Sequence, residues 1–438
     1  MVEIRPFLLP ANWTHRRYYK NLPKEKRTRF IDEMQNASIH KDEKQVLDII
    51  PATLDDVLGT IPRNSDSRII YCLSARDFPL SLAKRFFRLA QLRGLNFNNI
   101  YYVITMLDSI SNNLDTDTFA RYKQYYTISL RKFVEELALK MKFDICDDHM
   151  FVVSDKVQKP LLQLYESIPL HSCTYYVIGE TNSGKSKLSK RLMKLAMKEG
   201  KCVKRVDDEN GDSKDEDVDS RQNANHFYTV SPSPFRTRKN MTYYAPQFDF
   251  TLIDTPGYLQ KRNGIFGILN ERLRLNLYTQ YQVDSAPLGV EFKSPTTTEV
   301  FSIGEFFFIK PRGITGFKYR RFMYGKPAVY SRYSAATRKM ARSDRLVTPK
   351  MRRYLIPPFK GKIDLIFDNM GYIEIDNFQG DGSDYWQIFA PQNIKKLIRI
   401  PSMSVSLLSG QLADYAPFLE IPMTVNVQDF ISDHPTEM

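Results

Sequence analysis

The feature that most constrains the fold is a phosphate-binding loop motif that lies far from the N-terminus. The pattern G-x-x-x-x-G-K-S occupies residues 179–186, between a strand-like run and a helix-like run. In such a loop, backbone N–H groups surround phosphate oxygens at a helix N-terminus, where the helix dipole favours an anion. Roughly 170 residues precede the motif, which normally lies near the start of its domain. The upstream segment therefore needs an explanation.

The loop predicts individual contacts with a nucleotide. The Lys185 ammonium is expected to reach the β- and γ-phosphates, and the Ser186 hydroxyl is expected to bind Mg2+. The predicted nucleotide contacts of the loop are Gly179, Asn182, Ser183, Gly184, Lys185, Ser186 and Lys187. These residues predict a nucleoside triphosphate site.

A second motif, D-T-P-G, follows the strand-like run "FDFTLI". Asp254 is expected to hold the magnesium from the end of a neighbouring strand, and Gly257 is expected to offer its N–H to the γ-phosphate. Between the two motifs, Thr237 is the candidate switch residue whose hydroxyl would also bind the magnesium. A simple connecting loop is the alternative interpretation of that segment.

Strand-like and helix-like segments alternate upstream of the loop, which predicts an α/β doubly wound, mainly parallel sheet. The run "YYVIT" leads into Asp108, and "MFVVS" ends in Ser154. Asp108 could pair with guanine N1 and N2, and the Ser154 loop could meet guanine O6. The base loops would then precede the phosphate loop. That order predicts a circularly permuted GTPase domain, in which the upstream residues are the second half of the fold.

The segments "RIIYCLSARDFPLSLAKRF", "YYVITMLDS", "MFVVSDK", "YYVIGETNSGKS" and "FTLIDTPGYL" resemble the circularly permuted GTPases of the YqeH type, especially their fungal mitochondrial branch. The resemblance covers residues 65–285 well and the C-terminal part loosely. It implies binding of GTP and GDP, hydrolysis of GTP with Mg2+, and a role in assembling the small ribosomal subunit. In the fungal branch, the implied partners are the mitochondrial small subunit and its rRNA, and the implied location is the mitochondrial matrix.

The chain departs from the family pattern at several positions. The family's N-K-x-D is T-M-L-D here, so Asp108 alone is left to distinguish guanine from adenine. Tyr258 stands where a catalytic Gln would follow Gly257, and the family's N-terminal zinc finger has no counterpart. Asn182 occupies the place where potassium-activated GTPases hold a K+ ligand. The resemblance thus implies slow hydrolysis that depends on Lys185, Gly257 and Asn182 and is stimulated by K+ and by the RNA partner.

Positive charge is concentrated in one segment. The net charge is +13, but residues 310–362 contain sixteen Lys and Arg against one acid, Asp344. Eight aromatic residues are interleaved with these cations, a pattern typical of contact with phosphates and unpaired bases. The candidate RNA-binding residues are Arg320, Arg321, Arg352 and Arg353. A basic loop over an aromatic core and an acidic lipid surface are the alternatives.

We therefore expect three regions: a helical basic arm over 1–64, the GTPase domain over 65–285 with a disordered acidic insert at 207–220, and a C-terminal β-rich or α+β RNA-binding domain over 286–438. The arm's basic start fits a mitochondrial presequence and a basic, partly ordered arm equally well. No transmembrane segment is predicted, and peripheral association with the inner membrane is left open. A catalytically weak RNA-binding scaffold and a promiscuous NTPase are the alternative functions.

Overall fold

The computed structural model describes the residues in the following ranges: 52–63, 66–137, 145–168, 173–198, 204–206, 240–245, 249–259, 290–293, 298–303, 307–311, 316–323, 327–342, 351–356, 359, 361–377, 386–392, 394–399, 402–409 and 419–420. Thr237, the insert predicted at 207–220 and most of the predicted arm lie outside these ranges. The helix expected near "IFGILNERLRLNLY" lies outside them too. No described helix has the length and apolar character needed to cross a membrane.

The first half of the chain forms a seven-stranded sheet with the spatial order β3-β2-β1-β4-β7-β6-β5. Its strands are β1 (Arg68–Ser74), β2 (Ile100–Thr105), β3 (Met150–Val152), β4 (Cys173–Gly179), β5 (Lys204–Val206), β6 (Met241–Ala245) and β7 (Phe250–Asp254). The neighbouring strands β3, β2, β1, β4 and β7 pair in parallel. Strand β6 pairs antiparallel with both β7 and β5. The predicted α/β class and parallel pairing are confirmed.

The path of the chain through this sheet creates a crevice. From β1 the chain runs outward to β3, then returns to β4 beside β1 and continues to the other side. The carboxyl ends of β1 and β4 therefore face loops that leave in opposite directions. Ligands of open α/β sheets bind at such a reversal.

Helices cover both faces of this sheet. They are α1 (Leu54–Gly59), α2 (Lys84–Leu92), α3 (Thr116–Glu136), α4 (Lys159–Ser167) and α5 (Lys185–Lys198). Because side chains alternate along a strand, Tyr71 of β1 packs among α1, α2 and α3, and Cys72 packs among α4 and α5. Leu58 of α1 is fully buried in the first cluster. The described end of the predicted arm therefore contributes to the core of this domain.

The C-terminal half contains two antiparallel sheets. The five-stranded sheet has the order β12-β9-β10-β16-β13, and the six-stranded sheet has the order β18-β17-β14-β15-β11-β8. The strands are β8 (Val290–Lys293), β9 (Val300–Ile303), β10 (Phe307–Lys310), β11 (Phe317–Met323), β12 (Pro327–Tyr330), β13 (Met351–Ile356), β14 (Gly361–Phe367), β15 (Gly371–Asn377), β16 (Trp386–Pro391), β17 (Lys396–Arg399) and β18 (Leu419–Glu420), with helices α6 (Tyr333–Arg342) and α7 (Met403–Ser409). Their facing sides share one apolar core.

The two halves are joined by buried contacts at the loop after β1. The Gly371 N–H donates to Asp77 Oδ1 at 2.9 Å, and Arg399 Nη1 donates to the Phe78 carbonyl at 3.2 Å. Arg399 Nε also donates to Asp364 Oδ2 at 2.6 Å, and both side chains are inaccessible to solvent. The loop that borders the crevice is thus held by the six-stranded sheet.

Candidate nucleotide site

The loop between β4 and α5 has the backbone of a phosphate-binding turn. Asn182 and Gly184 have φ values of 62° and 83°, in the left-handed region that bends the chain tightly. A Cβ at Gly179 would lie 2.5 Å from the Cys72 carbonyl oxygen and from Ser183 Oγ, so a side chain does not fit there. Gly179 therefore serves the close path of the loop against β1, and Gly184 serves the turn beside Thr105 of β2.

Lys185 lies inside this loop. Its side chain is buried, and its Nζ donates to the carbonyl oxygens of Gly179 at 2.9 Å and Glu180 at 2.7 Å. Burial lowers the pKa of the ammonium, and the nearby Asp254 carboxylate opposes that effect. The ammonium is consequently positioned across the opening of the loop, where phosphate oxygens would replace the two carbonyl partners.

Asp254, at the end of β7, is a buried carboxylate near the Lys185 ammonium. It is 0% exposed, and the Ser186 hydroxyl acts on its carboxylate as a hydrogen-bonding group. Burial raises its pKa to about 6, while Ser186 and Lys185 act in the opposite direction. A buried carboxylate is costly unless it is paired or holds a metal ion.

The residues present fit a magnesium site of the kind predicted. Asp254 and Ser186 would hold the ion, and phosphate oxygens and water would complete its shell, which suits an ion that keeps several water ligands. Among the residues that the structure describes, no cluster of three or more His, Cys, Asp or Glu side chains could hold a metal by itself. When bound, Mg2+ would neutralise charge on the phosphates.

The D-T-P-G segment is attached to the phosphate loop by its backbone. The Thr181 N–H donates to the Tyr258 carbonyl at 3.0 Å, and the Tyr258 N–H donates to the Gly179 carbonyl at 3.4 Å. A Cβ at Gly257 would lie 2.7 Å from Thr181 Cα, so this close approach requires glycine. The predicted Gly257 thus borders the phosphate loop.

Tyr258 anchors this segment in the core. Its ring is fully buried, and its hydroxyl lies 3.0 Å from the hydroxyl of Tyr71. In this position the side chain cannot orient a water molecule at a γ-phosphate. The sequence revealed that a Gln was replaced, but it did not reveal this anchoring role.

The two predicted base-reading residues lie together at the same sheet edge. The Ser154 hydroxyl donates to Asp108 Oδ1 at 3.0 Å, and the Asp155 N–H donates to the same oxygen at 3.2 Å. Met106, with a left-handed φ of 61°, turns the chain between β2 and Asp108. The pairing joins loops that are encoded 46 residues apart.

Thr105 connects the base side of the site to the phosphate side. Its buried Oγ1 donates to the Ser183 carbonyl at 2.6 Å and also lies 3.2 Å from the Leu73 carbonyl, with which it shares its single proton. One hydroxyl thus ties the phosphate loop to β1 and β2. In the sequence, Thr105 stands out only as a departure from the family's Asn. A hydroxyl-bearing residue directly before a predicted base loop was the signal that could have identified it.

A second connection runs along α5. Lys187 forms an ion pair with Asp155, and Arg191 Nη1 donates to the Ser154 carbonyl at 2.6 Å. The side chain of Lys187, predicted as a nucleotide contact, is therefore directed to the base loop. Arg191, which was not predicted, holds the same loop in place.

The four candidate RNA-binding arginines do not form one surface. Arg320 lies 3.6 Å from Glu374, and Arg321 is 7% exposed, both on β11 of the six-stranded sheet. Arg352 and Arg353 lie on β13 of the other sheet. As neighbours in a strand, the members of each pair have side chains on opposite faces.

The comparisons with known proteins concern both halves of the chain. A family model for the C-terminal domain of "Genetic interactor of prohibitins 3" matches residues 292–411. The chain is similar to proteins named "Genetic interactor of prohibitins 3, mitochondrial". The relative from Debaryomyces hansenii is 23% identical over 80% of this chain and 61% of its own length. The relative from Candida albicans strain WO-1 is 26% identical over 80% of this chain and 57% of its own length.

The chain therefore spans about three fifths of the length of the curated relatives it matches. Their names confirm the predicted mitochondrial location, and the matrix compartment stays a prediction. The YqeH-type GTPase resemblance also stays a prediction, because these names do not mention it.

Proposed function

We propose that this chain is a GTP-binding and GTP-hydrolysing assembly factor for the mitochondrial small ribosomal subunit, and that its nucleotide state controls its contact with rRNA. The observation that carries the nucleotide part is the Asp108–Ser154 hydrogen bond at the same sheet edge as the phosphate loop. The ribosomal part rests on the family resemblance of the sequence. The relatives' names add a mitochondrial location and a genetic link to prohibitins.

The strand order supports the circularly permuted arrangement. Strands β1 to β3 are encoded before the phosphate-loop strand β4, yet β1 lies beside β4 and the base loops follow β2 and β3. The D-T-P-G strand β7 lies on the other side of β4. The proposed phosphate, magnesium and base contacts thus all arise at carboxyl ends of neighbouring parallel strands.

The positions of the site residues support a separate proposed role for each of them in nucleotide binding. The loop N–H groups and the Lys185 ammonium would bind the phosphates, and the free oxygen of the Asp108 carboxylate would accept hydrogen bonds from guanine N1 and N2. Asn182 would hold K+, and Gly257 would contact the γ-phosphate. With Tyr258 buried, no side chain at that position orients water, which supports slow turnover that a cation and an RNA partner stimulate.

The proposed control of RNA contact uses the loop after β1. Ala75 N–H donates to the Thr105 carbonyl at 3.0 Å, and Thr105 in turn holds the phosphate loop. Two residues further on, Asp77 holds the six-stranded sheet through Gly371. A nucleotide-dependent shift of the phosphate loop would thus reach the C-terminal half through a few buried hydrogen bonds, with Thr237 and Gly257 as the switch segments.

Asp108→Asn is the experiment that tests the guanine site. An amide in place of the carboxylate keeps one acceptor but offers a donor, so guanine's two N–H groups lose a partner and xanthine's O2 gains one. We expect the variant to bind GTP at least tenfold more weakly, corresponding to about 1.4 kcal/mol or more for a charged hydrogen-bonded pair, and to gain affinity for xanthosine triphosphate. Equilibrium competition against labelled GTP, with ATP as a third ligand, measures this.

Asp147→Asn, an exposed acid before β3, is the matched control and should not change any of the three affinities. Equal competition by ATP and GTP against the wild-type protein would favour the promiscuous NTPase instead. An unchanged preference in Asp108→Asn would contradict the guanine assignment.

A second candidate function, a non-enzymatic RNA-binding scaffold, is favoured by the burial of Tyr258. Lys185→Ala separates it from an enzyme, because loss of the ammonium removes phosphate binding. We expect the variant to lose GTP hydrolysis, to lose the excess of turnover in potassium over sodium buffer, and to lose GTP-dependent cosedimentation with mitochondrial ribosomal particles. Lys194→Ala, on the exposed side of the same helix, is the control. Unchanged cosedimentation of Lys185→Ala would establish the scaffold.

A further inference from the structure

The cations of the C-terminal half fall into two groups that differ in their acidic partners. On the six-stranded sheet, Arg320 and Lys362 lie 3.6 Å and 3.9 Å from Glu374, and Arg321 is buried. On the five-stranded sheet and α6, no acid of the described residues pairs with the four cations Lys310, Arg332, Arg338 and Arg353. The second group therefore carries positive charge that no described acid neutralises.

Strand register places the two strand cations of this second group, Lys310 and Arg353, on a single face. Phe308 of β10, Phe389 of β16 and Arg353 of β13 are opposite one another in register, so their side chains share a face. Lys310 lies two residues beyond Phe308 and shares that face. We call this surface, directed away from the core between the two sheets, the outer face.

Helix α6 lies across the outer face and adds to its charge. The Tyr333 ring stacks on the Phe389 ring with centroids 3.9 Å apart, and Ala336 packs against Phe308 in one small apolar cluster. Arg338 on this helix and Arg332 just before it are exposed. The helix thus brings its arginines to the same side as Arg353.

Aromatic rings are partly exposed on the outer face. Tyr330, Tyr333 and Phe389 are only half-buried, and such rings offer stacking surfaces to unpaired bases. A membrane surface would need exposed apolar side chains. Among the described residues, the exposed large hydrophobic side chains are Leu92 and Val329, and only Val329 lies in this half. The combination of cations and rings fits nucleic acid better than lipid.

We infer that the outer face is the RNA-binding surface of this chain and that its ligand is unpaired RNA. Lys310, Arg332, Arg338 and Arg353 neutralise phosphates, and the partly exposed rings stack with bases. This inference rests on the proposed RNA contact. It moves that contact from Arg320 and Arg321, which are paired or buried, to cations that pair with no described acid.

The test compares two triple variants of the full chain. The outer-face variant is Arg332→Gln/Arg338→Gln/Arg353→Gln. The control variant, Lys84→Gln/Arg88→Gln/Lys194→Gln, removes the same charge from exposed positions of α2 and α5. Binding of a fluorescein-labelled oligouridylate is measured by anisotropy over a range of KCl concentrations, and binding of cardiolipin-containing vesicles is measured by flotation.

The outer-face variant is expected to bind the oligouridylate at least about tenfold more weakly than the control, and its slope of log K against log salt should be smaller by about 2, because three phosphate contacts to a single strand are lost. Equal binding by the two variants would overturn the inference. So would vesicle binding that depends on the outer face while oligouridylate binding does not.

GTP binding by both variants distinguishes this inference from the proposed nucleotide function. If wild-type protein binds the oligouridylate through the outer face but does not bind GTP, the nucleotide proposal fails and the RNA surface stands. If GTP binds and the outer-face variant retains RNA affinity, the RNA surface fails and the nucleotide proposal stands.

Discussion

Arg399→Met is expected to lower the free energy of unfolding by about 3–5 kcal/mol, the range seen when one partner of a buried ion pair is removed. Burial opposes the charge of Arg399, but the Asp364 carboxylate and neighbouring tyrosines outweigh that effect and raise its pKa. The substitution leaves Asp364 buried without its cation and removes the hydrogen bond from Arg399 to the Phe78 carbonyl. Urea denaturation followed by circular dichroism measures the loss.

The double variant Asp364→Leu/Arg399→Met checks that the buried charge is the cause. Replacing both partners by apolar groups of similar size removes the uncompensated carboxylate, so stability should recover most of the loss. Arg353→Met, which removes an exposed arginine, should change stability by less than about 0.5 kcal/mol. A single variant no less stable than this control would show that Arg399 is not an essential partner of Asp364.

Asp254→Asn is expected to stabilise the nucleotide-free protein by about 3 kcal/mol above pH 6, where its carboxylate is ionised. The pKa of Asp254 is raised from 3.8 to about 6 by burial. A raised pKa means that the native state binds the proton more tightly than the unfolded state does. Ionisation therefore destabilises the native state progressively from pH 3.8 to 6, and the full cost, at 1.36 kcal/mol per pKa unit, is present above pH 6.

Below pH 3.8 the carboxyl is neutral in both states, and the variant and the wild type should be equally stable. Thermal melting without nucleotide or Mg2+, from pH 3.5 to 8, tests this dependence. Asp66→Asn, an exposed acid, serves as the control and should show little effect at any pH. The same Asp254→Asn protein should lose the stabilisation by GTP and Mg2+ that wild-type protein gains. A stabilising effect that does not vary with pH would show that ionisation is not the cause.

The sequence predicted the parts of the fold that local patterns determine. The apolar runs that end at Ser74, Thr105 and Gly179 are rich in β-branched and aromatic residues, and they are strands in the structure. Each run is bounded by turn residues and buried on both faces. The sequence also predicted that Asp108 and Ser154 lie in one pocket, since parallel strands bring their carboxyl ends to one edge. Their direct hydrogen bond was not predicted.

Other parts of the fold and of the site depend on the register of the strands and on contacts between residues that are distant in sequence. The division of Arg352 and Arg353 between two faces follows from strand alternation, but the pairing of Arg320 with Glu374 depends on which strand lies beside β11. The hydroxyl contact of Tyr258 with Tyr71 joins residues 187 positions apart. Charge density along the chain could locate the basic segment, but it could not show which of its cations pair with a described acid, as Arg320 does with Glu374.

The shared apolar cluster has a consequence for where the chain can be divided. Tyr126 and Phe78 of the first half and Tyr372 and Met403 of the second half belong to one continuous set of buried side chains. Truncation near residue 285 would leave apolar surface on both fragments open to water, at a cost of about 25 cal/mol for each Å². The two halves are thus better regarded as one cooperative folding unit, and an isolated N-terminal fragment would be a poor substitute for the intact protein.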